Sequence, residues 1–138
     1  GFNINNLTGR IPDSFMSLAK LTYMNLSMNS LSGSIPSTIG DLRRLLKLHL
    51  HDNNLSGPIP ASIGDSLLYL QELNLFNNDF SGSIPPSVGN LFDLQTFTTW
   101  GTGLTCPADY TSCVQQQIAE TAFCRKCPSF CTTCLEST

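Results

Sequence analysis

Apolar residues recur along this chain in a fixed order. In Leu45-x-x-Leu48-x-Leu50 apolar and polar positions alternate, which predicts a short strand with one buried face. Asn53 follows, and Leu55, Ile59 and Ile63 continue the inward set. The same order precedes it as Met24, Leu26, Asn29, Leu31 and Ile35, and follows it as Leu73, Leu75, Asn78, Phe80 and Ile84. Asn5, Asn29, Asn53 and Asn78 stand 24, 24 and 25 residues apart. Each period therefore predicts one coil: a strand, a corner at the asparagine, and a return. In returns such as Ser56-Gly57-Pro58-Ile59-Pro60, proline lacks an N–H and glycine relaxes the turn. That favours extended and 3-10 structure over a long helix.

Burial of each inward leucine is worth roughly 1.5–3 kcal/mol, but only when a neighbouring coil covers it. One coil cannot fold alone, so stability accumulates through contacts between neighbours. The asparagine amide carries donors and an acceptor, and can satisfy backbone groups buried at the corner. Leucine there would leave them unpaired, at about 1–3 kcal/mol per group. The asparagine column breaks at Thr102, in Leu94-Gln95-Thr96-Phe97-Thr98-Thr99-Trp100-Gly101-Thr102-Gly103-Leu104, so the regular array ends there. One extra residue near Asp65-Ser66 predicts a bulge on a single return.

A period of this length carrying L-x-x-L-x-L-x-x-N-x-L is the signature of a leucine-rich repeat solenoid. Thr8-Gly9-Arg10-Ile11-Pro12, Ser32-Gly33-Ser34-Ile35-Pro36, Ser56-Gly57-Pro58-Ile59-Pro60 and Ser81-Gly82-Ser83-Ile84-Pro85 resemble the plant-type subclass, over about residues 1–104. The resemblance implies an α/β repeat solenoid. Its expected form is a right-handed superhelix with short parallel strands on the concave face, 3-10 or extended convex returns, and a disulfide-rich helical C-terminal cap. Residues 1–104 would hold a partial first repeat, three full repeats and a degenerate last one, with the cysteine-rich cap at 105–138.

The 138 residues fit one domain. A net charge of −3, with 12% charged residues and no basic stripe, argues against a nucleic-acid partner. Arg43-Arg44 and Arg125-Lys126 read as solvated pairs. No apolar run is long enough to span a bilayer. The chain opens at Gly1-Phe2-Asn3, mid-repeat, and reads as a processed or truncated product. Sequons stand at Asn6, Asn25 and Asn54, with Asn6 and Asn54 at one outward corner position and Asn25 on the solvent side of a strand.

All six cysteines, Cys106, Cys113, Cys124, Cys127, Cys131 and Cys134, crowd the end of the array. With the sequons they favour the secretory pathway, and their place suggests a disulfide-stapled cap over the open last coil; the family resemblance implies an extracellular location, at the cell surface or in the cell wall. A helix from Ser112 through Val114, Ile118 and Ala122 would cover that end. The family resemblance implies a Cys106–Cys113 bond; the other four cysteines admit three pairings. A zinc reading of the two C-x2-C knuckles meets a spacing of three residues, where ribbons separate theirs by roughly 15–20.

Outward strand positions fall into columns: Tyr23, Lys47, Glu72, Thr96; then Asn25, His49, Asn74, Thr98; then Ser27, His51, Phe76, Trp100, with Met28, Asp52 and Asn77 beyond. Tyr23, Lys47, His49, His51, Glu72, Asn74, Phe76 and Trp100 make the candidate ligand face. Phe76 and Trp100 contribute little to folding there and suit stacking on a sugar ring or packing against a partner. The competing reading has the cap or a glycan covering them. His49, His51 and Glu72 invite a zinc or acid–base reading. No nucleophile motif, phosphate loop or second inward carboxylate supports it, so two surface histidines remain. No catalytic residue, metal or cofactor is expected.

The resemblance implies a use like that of receptor-kinase ectodomains and polygalacturonase-inhibitor-like proteins. That use is extracellular, non-enzymatic recognition of a protein, peptide or cell-wall polysaccharide on the concave face. The alternative is a structural subunit of an extracellular glycoprotein filament. In that reading Phe2, Ile4 and Leu7 form an open apolar N-terminal end that self-associates head to tail.

Overall fold

Successive coils place nine short strands in two parallel sheets, in a computed structural model that describes residues 6–105. The cysteines, the helix from Ser112, Asn5, and the apolar residues Phe2 and Ile4 lie outside the described residues. The strands are β1 (Thr8–Gly9), β2 (Tyr23–Asn25), β3 (Ser30–Gly33), β4 (Lys47–His49), β5 (Asn54–Gly57), β6 (Glu72–Asn74), β7 (Asp79–Ser83), β8 (Thr96–Thr98) and β9 (Gly103–Thr105). The first sheet runs β2-β4-β6-β8, with Tyr23, Lys47, Glu72 and Thr96 in register. Asn25, His49, Asn74 and Thr98 form the parallel row two residues on, so the expected outward columns are real neighbours.

The second sheet, β1-β3-β5-β7-β9, was expected only as extended chain. It forms because stacked returns leave backbone N–H and C=O groups that the next coil can pair. Between the sheets lies the core. Leu48, Leu50, Leu55, Ile63, Leu73 and Leu75 are 0% exposed and Ile59 4%, as the inward pattern predicts.

The asparagines tie coil to coil. Asn53 Oδ1 accepts the Leu31 N–H at 3.0 Å, and its Nδ2 donates to the Leu26 and Leu50 carbonyls, each at 3.0 Å. Asn78 repeats this with Leu55 N and the Leu50 and Leu75 carbonyls, and Asn29 accepts from Leu7 N. At Thr102 the hydroxyl instead donates to Thr99 O at 2.6 Å within its own coil. Thr99 takes the inward leucine position of that coil, 1% exposed, and its Oγ1 has no hydrogen-bond partner among the described residues. Just ahead of the asparagines, Met28, Asp52 and Asn77 turn the corner at φ of 56°, 56° and 51°.

The returns adopt 3-10 turns at Asp13–Ser17, Ser37–Asp41 and Pro86–Asn90. The exception is α1 (Ser62–Ser66), in the coil with the extra residue. There Asp65 N and Leu67 N bond four residues back, to Ala61 O and Ile63 O, whereas Leu42 N and Leu91 N bond three back. The insertion is therefore wound into a wider turn. Among the described residues no helix is long and apolar enough to cross a membrane.

Candidate functional site

The outward face of the first sheet carries two linked arrays, one polar and one of stacked rings. On β4 and β6 the Lys47 ammonium donates to Glu72 Oε1 at 2.6 Å, and His49 Nε2 meets Glu72 Oε2 at 2.8 Å. The Lys47 hydrogen bond, then that of His49, holds the Glu72 carboxyl below its ordinary 4.5. The same bond raises Lys47 above 10.5. Asn25 Nδ2 donates to Tyr23 Oη at 3.0 Å, and Tyr23 Oη lies 3.4 Å from His49 Nδ1. One neutral tautomer satisfies the whole chain: Tyr23 O–H donates to Nδ1, and Nε2–H donates to Glu72. Thr22, Tyr23, Leu46, Lys47 and His49 line a hollow of about 290 Å³ at this end.

Rings continue across the face. Tyr23 meets His49 edge-on with centroids 5.3 Å apart, and His49 lies 6.1 Å from His51. His51 stacks on Phe76 at 4.3 Å and 12°, and Phe76 on Trp100 at 4.3 Å and 14°. That spacing is close to the separation of neighbouring strands, about 4.7–4.9 Å, so the ladder follows from one ring per coil in register. Both faces of Phe76 are thereby occupied. A sugar therefore finds no free ring face at Phe76, where the ring edge is what remains open. Trp100 and Tyr23 are 51% and 45% exposed.

His49, His51 and Glu72, set aside above as a zinc or acid–base trio, do not form one cluster. His51 Nδ1 turns instead to Asp52 Oδ2 at 2.8 Å, leaving two separate histidine–carboxylate pairs. Among the described residues no group of three such side chains is placed to hold a metal. Asp52 Oδ1 also accepts from Asn77 Nδ2 at 2.7 Å, and these bonds, Asn77 first and then His51, hold its carboxyl below 3.8. Asn74 Oδ1 accepts from Thr98 at 2.9 Å.

One column member is not on display. Ser27 is 2% exposed, its N–H and hydroxyl both donating to Asn25 Oδ1 at 3.0 and 2.7 Å. The Asn-x-Ser spacing that makes a sequon also makes this Asx turn, a signal the column reading passed over. Asn25 is half-buried and its amide is engaged on both sides, while Asn6 and Asn54 are exposed.

Known proteins share this fold. Leucine-rich repeat family models match residues 3–55 and residues 69–91. A search of curated protein sequences returns no match. Among solved structures the chain is similar to the BIR2 ectodomain from Arabidopsis thaliana, at 34% identity and a TM-score of 0.73, covering 75% of this chain and 54% of that one. It is also similar to a chain of the BIR3–SERK2 complex from Arabidopsis thaliana, at 36% identity and a TM-score of 0.74, covering 80% and 60%. A third likeness is to the ectodomain of the Arabidopsis receptor kinase HAESA in complex with an IDA peptide hormone. It has 39% identity and a TM-score of 0.72, and covers 75% of this chain and 17% of that one. This chain thus spans about half to three-fifths of the first two and a small part of the third.

Proposed function

The chain belongs to the plant-type extracellular leucine-rich repeat family, and on that premise we propose that it is a non-enzymatic recognition module for a protein or peptide. The ligand lies along the outward face of β2, β4, β6 and β8, across Tyr23, Lys47, His49, His51, Glu72, Asn74, Phe76 and Trp100. One observation carries the reading: five rings run unbroken across four coils, beside a hydrogen-bonded polar array, at positions the core does not need. Ring edges with fixed donors and acceptors suit the alternating side chains of an extended peptide better than the flat face of a sugar. HAESA and the BIR3–SERK2 pair, whose structures contain a peptide hormone and a receptor partner, support the choice of partner class.

The proposal includes a cell-surface or extracellular location, right-handed winding, which parallel crossovers overwhelmingly take, and a cap at 105–138 stapled through its cysteines. Glycans belong at Asn6 and Asn54, which are exposed, rather than at Asn25, whose amide braces Tyr23 and Ser27.

A peptide array of random dodecamers, probed with the full chain, tests the function. Bound sequences should lose at least tenfold in affinity to Phe76→Ala and Lys47→Ala. Binding that ignores both substitutions removes the strand face as the site. Ligand-free polymers growing with concentration would favour the structural alternative.

A further inference from the structure

The flank that leads from the convex turns down into the four strands is built unlike the rest of the surface. Arg43, Leu68 and Phe92 each lie four residues before the paired strand positions Lys47, Glu72 and Thr96, and so form a column across three coils. Arg44, Tyr69 and Asp93 form the column beside it. Leu68, Tyr69 and Phe92 are 51%, 62% and 68% exposed, although the preceding residues Leu67 and Leu91 are 0% and 1% exposed. The exposed part of their apolar surface adds nothing to the core, and apolar groups gathered in this way mark a contact surface.

Basic residues occupy the middle of the same flank. Arg43 and Arg44 are exposed, and among the described residues they form no ion pair. Toward the N-terminal coil the two columns continue as Ala19 and Lys20, which with Ser17, Leu18 and Leu21 line a hollow of about 560 Å³. The sequons Asn6 and Asn54 lie by the second sheet, on the other side of each coil, so glycans there leave this flank clear.

The geometry points to a second docking surface here, for a folded protein whose contact patch sets carboxylates between apolar side chains. The carboxylates meet Arg43 and Arg44, and the apolar groups pack on Leu68, Tyr69 and Phe92. Asp93 repels carboxylates at the far end and so fixes the order of the patch. An acidic polysaccharide satisfies the arginines but has nothing to place on Leu68 and Phe92, which is why a protein is the better fit. This surface is separate from the ring-lined strand face and would let one chain hold a ligand and a protein partner together.

A displayed library of folded single-domain binders, selected on the full chain, tests the proposal, with polygalacturonate as a polyanion probe. Expected clones carry Asp or Glu beside aliphatic or aromatic residues. They lose at least tenfold in affinity to Arg43→Glu/Arg44→Glu and, separately, to Leu68→Ser/Phe92→Ser, with the fold of each variant checked by circular dichroism. Clones that bind every flank variant as they bind the wild type overturn it, and if they respond to Phe76→Ala the strand-face reading survives alone. Polygalacturonate binding that needs the arginines, with no protein clone needing Leu68 or Phe92, overturns it in favour of a polyanion surface.

Discussion

Asn53 answers one buried N–H of the preceding coil and carbonyls of both coils with a single side chain. Asn53→Leu fills the space but strands those groups, each at about 1–3 kcal/mol. We expect a loss of about 2–4 kcal/mol in urea unfolding; a smaller change than 1 kcal/mol would mean that water takes the place of the amide. Met28 shows the opposite case. It turns a left-handed corner at φ 56°, where its coil equivalents are Asp52, Asn77 and Gly101. A side chain other than asparagine or aspartate costs about 1–2 kcal/mol there, so Met28→Asn should raise the melting temperature through a gain of about 1 kcal/mol. On the ligand face, the depressed Glu72 carboxyl stabilises the fold above pH 4.5, and this contribution disappears as pH falls through its lower folded value. Lys47→Met removes the first cause, and the Glu72 carboxyl midpoint followed by carbon NMR should move upward. The asparagines were legible in the sequence because their spacing is periodic. Ser27 was not, because its burial depends on a local turn at Asn25 that no column reveals.

At the scale of elements, the convex returns pack so closely that glycine is required at one of them. A Cβ added to Gly64 in α1 would lie 2.1 Å from the carbonyl carbon of Ser87 in the next coil, whereas one added to Gly40 meets only the Ser62 and Ser66 side chains, at 2.9 to 3.2 Å. Gly64→Ala should therefore cost about 1–3 kcal/mol through overpacking. Gly40→Ala should cost less, since serine side chains give way more easily than backbone, and thermal melts of the two variants side by side give the comparison. Equal effects would show that the returns are looser than the coil stacking indicates. The strands of the first sheet were legible from alternation in Leu48-x-Leu50 and its repeats. The second sheet was not, since each of its strands offers only one inward residue, such as Leu31, Leu55 or Phe80, and pairing there comes from coil stacking. In the same way, the extra residue near Asp65 could be counted from the sequence. Whether it bulges or widens a turn depends on the neighbouring returns against which it packs.

Across the whole molecule, each coil depends on covers above and below it, and the burial record shows where those covers are complete. Inward residues from Leu42 to Leu75 in the two middle coils are 0% exposed, apart from Ile59 at 4%, whereas Ile11, Met24 and Phe97 nearer the ends retain 5%, 5% and 6%. The asparagine bonds follow the same order, since Leu50 O receives from Asn53 and Asn78 while, among the described residues, Thr102 Oγ1 donates only within its own coil. Stability that adds through neighbours should then fall toward the ends. Native-state hydrogen exchange reads this directly: the amides of Leu50 and Leu55, held at 2.9 Å by Asn74 O and Asn78 Oδ1, should exchange last. Leu7, paired to Asn29 at the N-terminal edge, should exchange well before them. Leu50→Ala should cost about 2–5 kcal/mol and Ile11→Ala less, since a partly open site relaxes or admits water. One common opening energy for Leu7 and Leu50 would mean that the coils unfold as a single unit, and the additive stack would have to be abandoned. An ordered gradient would leave the middle coils, which carry His49, His51, Glu72 and Phe76, as the most rigid platform in the chain, the place where a preorganised ligand face costs least to hold.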